Sequence, residues 1–239
     1  MGLRAIFFDA GNTLVFPDRD RTFAPLKSRG LAVPDEWIFA AERAARRYRD
    51  ANAAGDPKHT DQQFWNIYYD ELLSNLPEHK ALLPELVAAA RNSASWSVVP
   101  PGTREHLLRL KQKYRLGVIS NSDGHIADLF ADLGLADCFE SITDSGRVGF
   151  QKPHPEIFRV ALRSLDVSAK ESVYIGDVYS IDYTGARAVG MEAIVIDPFG
   201  TYVNNGVPRI TKLDELEPLL RASDQNSAAW VPTPPGVDP

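Results

Sequence analysis

Short apolar runs rich in β-branched residues recur along the chain at Ala5 to Phe8, Leu116 to Ser120, Ser172 to Ile175 and Ala193 to Ile196. Strands that are apolar at nearly every position are covered on both faces. The segments between the later runs carry helical patterns, and alternation of strand and helix implies crossover units and a parallel sheet. The predicted fold class is α/β. Residues 17–97 break this rhythm, because they hold no comparable strand. Trp37, Ala41, Ala44, Ala45 and Tyr48 are spaced to share one helix face, and a second helical pattern runs from Gln62 to Leu76 through Trp65, Tyr68, Tyr69 and Leu72. Pro100, Pro101 and Gly102 mark the return to the sheet. The predicted organisation is a core of residues 1–16 and 98–222, a helical insert at 17–97, and a proline-rich tail at 223–239 that includes Trp230.

Composition narrows the classes of function. The chain has 239 residues, of which 44% are hydrophobic and 24% charged, and its net charge is −6. That is enough apolar material for a substantial core, and the acidic balance lacks the basic footprint of a nucleic-acid partner. No apolar run reaches the ~18 residues needed to span a bilayer, so no membrane association is expected. Cys138 is the single cysteine and cannot form an internal disulfide. It reads as a buried spectator in a reducing, cytoplasmic compartment.

In open parallel sheets, ligands bind beyond the carboxyl ends of the strands. The first run ends in Asp9, with Thr13 four residues on; the second ends in Ser120-Asn121; the third is followed by Gly176-Asp177, with Asp182 beyond. Lys152 lies between the second and third, in "GFQKPHPEIF". Any one of these residues alone serves equally well as a turn or helix cap. Together, three carboxylates at one place repel unless a cation joins them, and hard oxygen ligands suit Mg²⁺. One carboxylate is then available as a nucleophile, while Thr13, Ser120, Asn121 and Lys152 hold a transferred anion.

The stretches "FFDAGNTLV", "VISNSD", Lys152-Pro153 and "YIGDVYSIDYTGA" resemble, in order and spacing, the motifs of the haloacid dehalogenase superfamily of hydrolases, most of which are phosphatases. The resemblance implies a Rossmann-like parallel-sheet sandwich with a helical cap of the first type inserted after the first strand. It implies that Asp9 is a nucleophile forming an aspartyl intermediate and that Thr13 and Ser120 bind phosphoryl oxygens. Lys152 would neutralise charge between Asp9 and the anion. Asp9, the Gly11 carbonyl, Asp177 and Asp182 would hold Mg²⁺, and the substrate would be a small phosphorylated metabolite.

One position departs from that pattern. Phosphatases of the family place a second aspartate two residues after the nucleophile, as acid and base, and here Gly11 occupies the position. General acid–base help of this kind is worth ~10²–10⁴-fold. Gly11 admits a phosphatase acting on good leaving groups or borrowing a proton donor from Asp123, His125 or the insert, a haloacid dehalogenase-type hydrolase, a phosphonatase using an insert lysine (Lys27, Lys58 or Lys80), or a catalytically weak anion-binding module. The dehalogenases of the family carry a tyrosine six residues beyond the lysine, where this chain has Phe158. Arg46 and Arg47 read as a solvated face beside Glu42. Trp65, Tyr68 and Tyr69 read as insert core, and His154 as a cap of the helix starting near Pro155.

Overall fold

The computed structural model describes residues 2–53 and 57–225. In chain order the elements are β1 (Ala5–Phe8), β2 (Phe16–Pro17), α1 (Arg19–Thr22), α2 (Ala24–Lys27), α3 (Asp35–Ala51), α4 (Pro57–Leu73), α5 (Leu83–Arg91), β3 (Trp96–Val98), α6 (Thr103–Lys111), β4 (Arg115–Ser120) and α7 (Ile126–Asp132). They continue with β5 (Ser141–Asp144), α8 (Ser145–Val148), α9 (Pro155–Ser164), β6 (Ser172–Gly176), α10 (Thr184–Ala188), β7 (Glu192–Ile196), β8 (Arg209–Ile210) and α11 (Leu216–Gln225). The chain divides into two compact units. One comprises residues up to Leu14, Val99–Pro198 and Tyr202 onward; the other comprises Val15–Val98 with Phe199–Thr201.

The first unit is built on a six-stranded sheet in the order β5-β4-β1-β6-β7-β8, with every pairing parallel. The four apolar runs are its inner strands β1, β4, β6 and β7. The edge strands β5 and β8 carry no such signal, because "SITD" and "RI" are short and half polar. An edge strand is covered less completely, so its sequence needs fewer apolar residues. Register decides where chemistry can occur. Phe8 lies opposite both Val118 and Ile175, which brings the carboxyl ends of β1, β4 and β6 level with one another. On one face of the sheet, Phe7, Ile119, Tyr174 and Ala193 pack with Ile157, Phe158, Ala161 and Leu162 of α9. Those four helical residues form one stripe, and each large apolar side chain so buried contributes roughly 1.5–3 kcal/mol. His154 caps α9 as expected: its Nδ1 accepts from the Glu156 N–H at 3.2 Å, and Pro155 follows at the first helical position.

The second unit is helical, with α3 and α4 as its principal pair. Tyr68 and Tyr69 are buried and Trp65 packs partly buried beside them, in a core that also holds Ile38, Ala41, Ala45, Phe64 and Leu72. The buried stripe of α3 is Ile38, Ala41, Glu42, Ala45 and Arg46. Arg46 is therefore not on a solvated face: it is 0% exposed, pairs with Glu42 at 3.1 Å, and lies 4.9 Å from the Phe199 ring centroid, whereas Arg47 is exposed. Spacing alone could not show this, because an i,i+4 Glu–Arg pair reads identically on either side of a helix. Phe199 also packs on Phe39 at 5.5 Å and accepts from Arg43 at 3.1 Å, so a segment read from the sequence as core belongs with this unit. The insert was read as strand-free, yet its ends pair as a short antiparallel ribbon of β2 and β3.

Helix α11 continues to Gln225, past the predicted start of the tail at 223; residues 226–239, Trp230 among them, lie outside the described residues. Among the described residues no helix is long and apolar enough to cross a membrane. Cys138 is buried, as expected.

Candidate active site

The level carboxyl ends of β1, β4 and β6 deliver the site. Asp9 follows β1 directly, and its N–H donates to Ile175 O at 2.8 Å, so the neighbouring strand fixes its backbone. The turn after it closes through Leu14 N–H to Ala10 O at 2.9 Å. Its left-handed residue is Asn12, at φ 53°; Gly11 does not take that conformation. Thr13 is 3% exposed and its Oγ1 has no hydrogen-bond partner among the described residues. A buried hydroxyl left unmatched costs free energy, and such groups concentrate where a ligand is to be bound. Ser120 ends β4, buried at 4% exposure.

Lys152 reaches into this end of the sheet. Its Nζ donates to Asp9 Oδ1 at 2.5 Å, Tyr174 OH at 2.7 Å and Asp182 Oδ1 at 2.8 Å. The ammonium's three protons are thereby all engaged. Asn121, expected to help hold the anion, bonds to the backbone of Lys152. Its Oδ1 accepts from the Lys152 N–H at 2.7 Å and its Nδ2 donates to Lys152 O at 3.0 Å, so the amide clasps the lysine's backbone.

Asp177 and Asp182 lie beyond β6, with Asp182 in a π-helical turn, Tyr179–Tyr183. Carboxylate oxygens of Asp9, Asp177 and Asp182 lie within 4.8 Å of one another, and all three residues are buried. Asp182 is heavily committed to the protein: Oδ2 accepts from the N–H groups of Asp177 and Val178 at 3.1 and 2.9 Å, and Oδ1 accepts from Lys152 and Tyr174. Those bonds use the lone-pair directions a carboxylate offers. The close approach depends on Gly176, where a Cβ would stand 2.5 Å from Asp182 Cγ.

Burial pushes the Asp9 carboxyl up to about 6 against the pull of Lys152, and the charge of Asp182 adds to the rise. Burial also opposes the charge of Lys152, but Asp182 and Asp9 together outweigh it and hold the ammonium above the usual lysine range. Among the described residues Lys152 bonds two of the three clustered carboxylates, Asp9 and Asp182. With oxygen as the only donor type among them, the residues fit a hard divalent cation.

Two contributors escaped the reading of the sequence. Tyr174 looks like one more apolar residue of "SVYIG", yet its hydroxyl enters the site. Asp144 ends the unrecognised strand β5 and accepts from the N–H groups of Gly124, Gly146 and Ile126 at 3.0, 2.9 and 3.2 Å. With Ser145, whose Oγ bonds both N and O of Ser122 at 3.0 Å, it fastens the loop that follows Asn121. The only available signal was an aspartate after a short β-branched pair.

The family model of haloacid dehalogenase-like hydrolases matches residues 3–190. The chain belongs to this family. A haloacid dehalogenase-like hydrolase domain-containing protein 3 of Mus musculus is 28% identical over 239 residues, covering 93% of this chain and 94% of its own. A glyceraldehyde 3-phosphate phosphatase of Pyrococcus abyssi is 39% identical over 203 residues, 80% of each chain. Among solved structures, the magnesium-bound HAD-hydrolase YfnB of Bacillus subtilis superposes with a TM-score of 0.68 at 21% identity, over 92% of this chain and 99% of that one. The protein is thus a phosphatase-like hydrolase with the haloacid dehalogenase fold. Phe158, at the position of the dehalogenases' tyrosine, is fully buried against Tyr174 at 5.4 Å. Lys27 and Lys80 are exposed and paired with Asp20 and Asp70, which fits solvated lysines better than imine-forming ones; the side chain of Lys58 lies outside the described residues.

Proposed function

We propose that this chain hydrolyses a small phosphorylated metabolite with Mg²⁺ as cofactor, through an aspartyl-phosphate on Asp9, in the cytoplasm. The observation that carries this reading is Asp9 itself, a buried carboxylate at a strand tip with Lys152 on Oδ1 and the unpartnered Thr13 hydroxyl nearby in the same turn. Relatives named as phosphatases support the class of substrate. Asp9, the Gly11 carbonyl and Asp177 would hold the metal, and Asp182, engaged by four protein donors, would brace Lys152 and the Gly176–Val178 turn. Bound there, Mg²⁺ would offset the excess carboxylate charge and draw the phosphoryl group toward the nucleophile.

In the first step an Asp9 carboxylate oxygen bonds to phosphorus and the ester oxygen–phosphorus bond breaks. The ester oxygen takes its proton from solvent, since Gly11 offers none. Thr13 and Ser120 donate to the phosphoryl oxygens, and Lys152 balances the charge shared between them and Asp9. Water then attacks phosphorus, releasing inorganic phosphate and restoring Asp9.

The test is release of phosphate from an activated aryl phosphate by purified protein with Mg²⁺ or with chelator. Hydrolysis indifferent to chelation, or confined to a haloacid or a phosphonate, overturns the reading. Gly11→Asp sharpens it. Because Asn12 rather than Gly11 holds the left-handed conformation, φ at position 11 does not strain a side chain. Turnover on an alkyl phosphate should rise more than on an aryl phosphate, approaching the ~10²–10⁴-fold range of acid–base catalysis. Equal or lower turnover on both esters by a folded variant would mean that absence of this acid is not what limits the enzyme.

A further inference from the structure

We infer that Tyr174 is a positioning residue, whose hydroxyl takes the third proton of the Lys152 ammonium and fixes that lysine between Asp9 and Asp182. An ammonium on a four-carbon stem is a mobile point charge with three donors. Here two of the donors meet carboxylates, and both carboxylates belong to the reacting end of the site. With those alone the nitrogen could swing about the Asp9–Asp182 line. The third contact, Tyr174 OH at 2.7 Å, comes from a rigid inner strand and removes that freedom.

The phenol is held as firmly as the lysine. Tyr174 is 0% exposed, its ring packs edge-on against Phe158, and its oxygen lies 3.0 Å from Asp182 Oδ1 and 3.2 Å from Ile119 O, two acceptors for its single proton. Accepting from Lys152 while donating to one of these, the hydroxyl is used in both capacities. Burial pushes its acidity well out of the physiological range, and the charges of Asp182 and Asp9 push the same way, so it stays a neutral phenol. Lys152 is thereby anchored at both ends: Asn121 clasps its backbone, and Tyr174 aims its head.

The kinetic consequence rests on reading Asp9 as a phosphatase nucleophile; the structural one does not. Tyr174→Phe keeps the ring against Phe158 and deletes only the oxygen. Measured on an aryl phosphate with saturating Mg²⁺, kcat should fall by about 10- to 100-fold, the scale of an ångström-size misplacement. KM should stay within about threefold, because Lys152 still supplies its charge to bound substrate. Replacing Tyr174 by 3-fluorotyrosine, which keeps the accepting phenol oxygen at the same reach, should restore most of kcat. A merely structural role predicts a lower melting temperature with kcat per folded molecule unchanged, and neither loss nor rescue.

A substrate-free readout separates the two claims. In metal-free protein carrying ¹⁵N-lysine, a buried ammonium with all three protons bonded gives a slowly exchanging N–H resonance, assigned by its loss in Lys152→Met. That resonance should be present in the wild type and broadened beyond detection in Tyr174→Phe. Its persistence in Tyr174→Phe, its absence from the wild type, or an unchanged kcat in an active enzyme overturns the inference. If the resonance responds to Tyr174→Phe but the wild type hydrolyses no phosphate ester, the proposed function fails and the positioning role stands.

Discussion

Each unit of the molecule buries a cation against carboxylate, and the two clusters balance differently. In the helical unit Arg46 faces Glu42 at 3.1 Å, within a single helix and over the Phe199 ring. At the sheet ends Lys152 faces Asp9 and Asp182 at 2.5 and 2.8 Å, with the Asp177 carboxylate beside them. The helical pair joins two neighbours of one helix, whereas the strand-end cluster gathers carboxylates from two different strand ends, and holding buried like charges together costs several kcal/mol unless something bound repays it. Folding energetics alone would remove such a cluster, which is why perturbed ionisable groups concentrate at functional sites.

The widest separation between the clusters should appear in catalysis. Asp9→Asn removes the proposed nucleophile while preserving shape, and turnover should drop by more than about 10⁴-fold, as when a nucleophile is deleted elsewhere. A fluoroberyllate adduct should form on wild-type Asp9 and not on the variant. Turnover near the wild-type rate would exclude Asp9 as nucleophile and erase the functional half of the contrast. Substitutions at Glu42 or Arg46, judged per folded molecule, should leave the chemistry of Asp9 intact.

Stability reverses the ranking. Arg46→Met strands Glu42, which is 4% exposed, and breaking a buried pair from one side costs about 3–5 kcal/mol. Chemical denaturation should register that loss in Arg46→Met, whereas the double variant with Glu42→Leu should recover most of it, since apolar replacement of a whole buried pair is often neutral. A loss in the double variant as large as in the single one would show that the pair adds more than mutual neutralisation.

How much of this was legible in the sequence follows the same division. Inner strands announce themselves because both faces are apolar, and carboxylates that interrupt such runs stand out against them; the clustering of Asp9 and Asp177 is legible for that reason. Tyr174 was hidden because a tyrosine within a buried strand matches the pattern of its neighbours, and only register shows where its hydroxyl goes. Asp144 was hidden with its edge strand. The bonds from the Asn121 amide to the backbone of Lys152 are not legible either, since no sequence pattern says which distant segment an amide closes on. Arg46 was misplaced because Ile38, Ala41, Glu42, Ala45 and Arg46 form one stripe only when two charged residues are allowed into it, and period rules assign charges to water.

The smallest predicted effect tests the imbalance directly, in protein kept metal-free by chelator. Burial raises the folded-state Asp9 carboxyl to about 6, while in the unfolded chain it titrates near the ordinary carboxylate value of 3.8. Between about pH 4 and 6 the folded state keeps a proton that the unfolded state has released, so this group's contribution to stability is full at the acid end and is lost as pH rises through about 6. By pH 7 the loss amounts to up to about 3 kcal/mol. Asp9→Asn carries no such proton, and the comparison with it cancels every other titrating group. The variant should therefore be more stable than the wild type at pH 7, with the difference shrinking toward pH 4. Saturating Mg²⁺ should reverse the order at pH 7, because the wild type alone offers the full carboxylate set, and a ligand that binds only the folded state stabilises it. If Asp9→Asn were instead less stable than the wild type at pH 7 in chelator, Lys152 would already repay the burial of Asp9, and the strand-end cluster would be as self-sufficient as the pair in the helical unit.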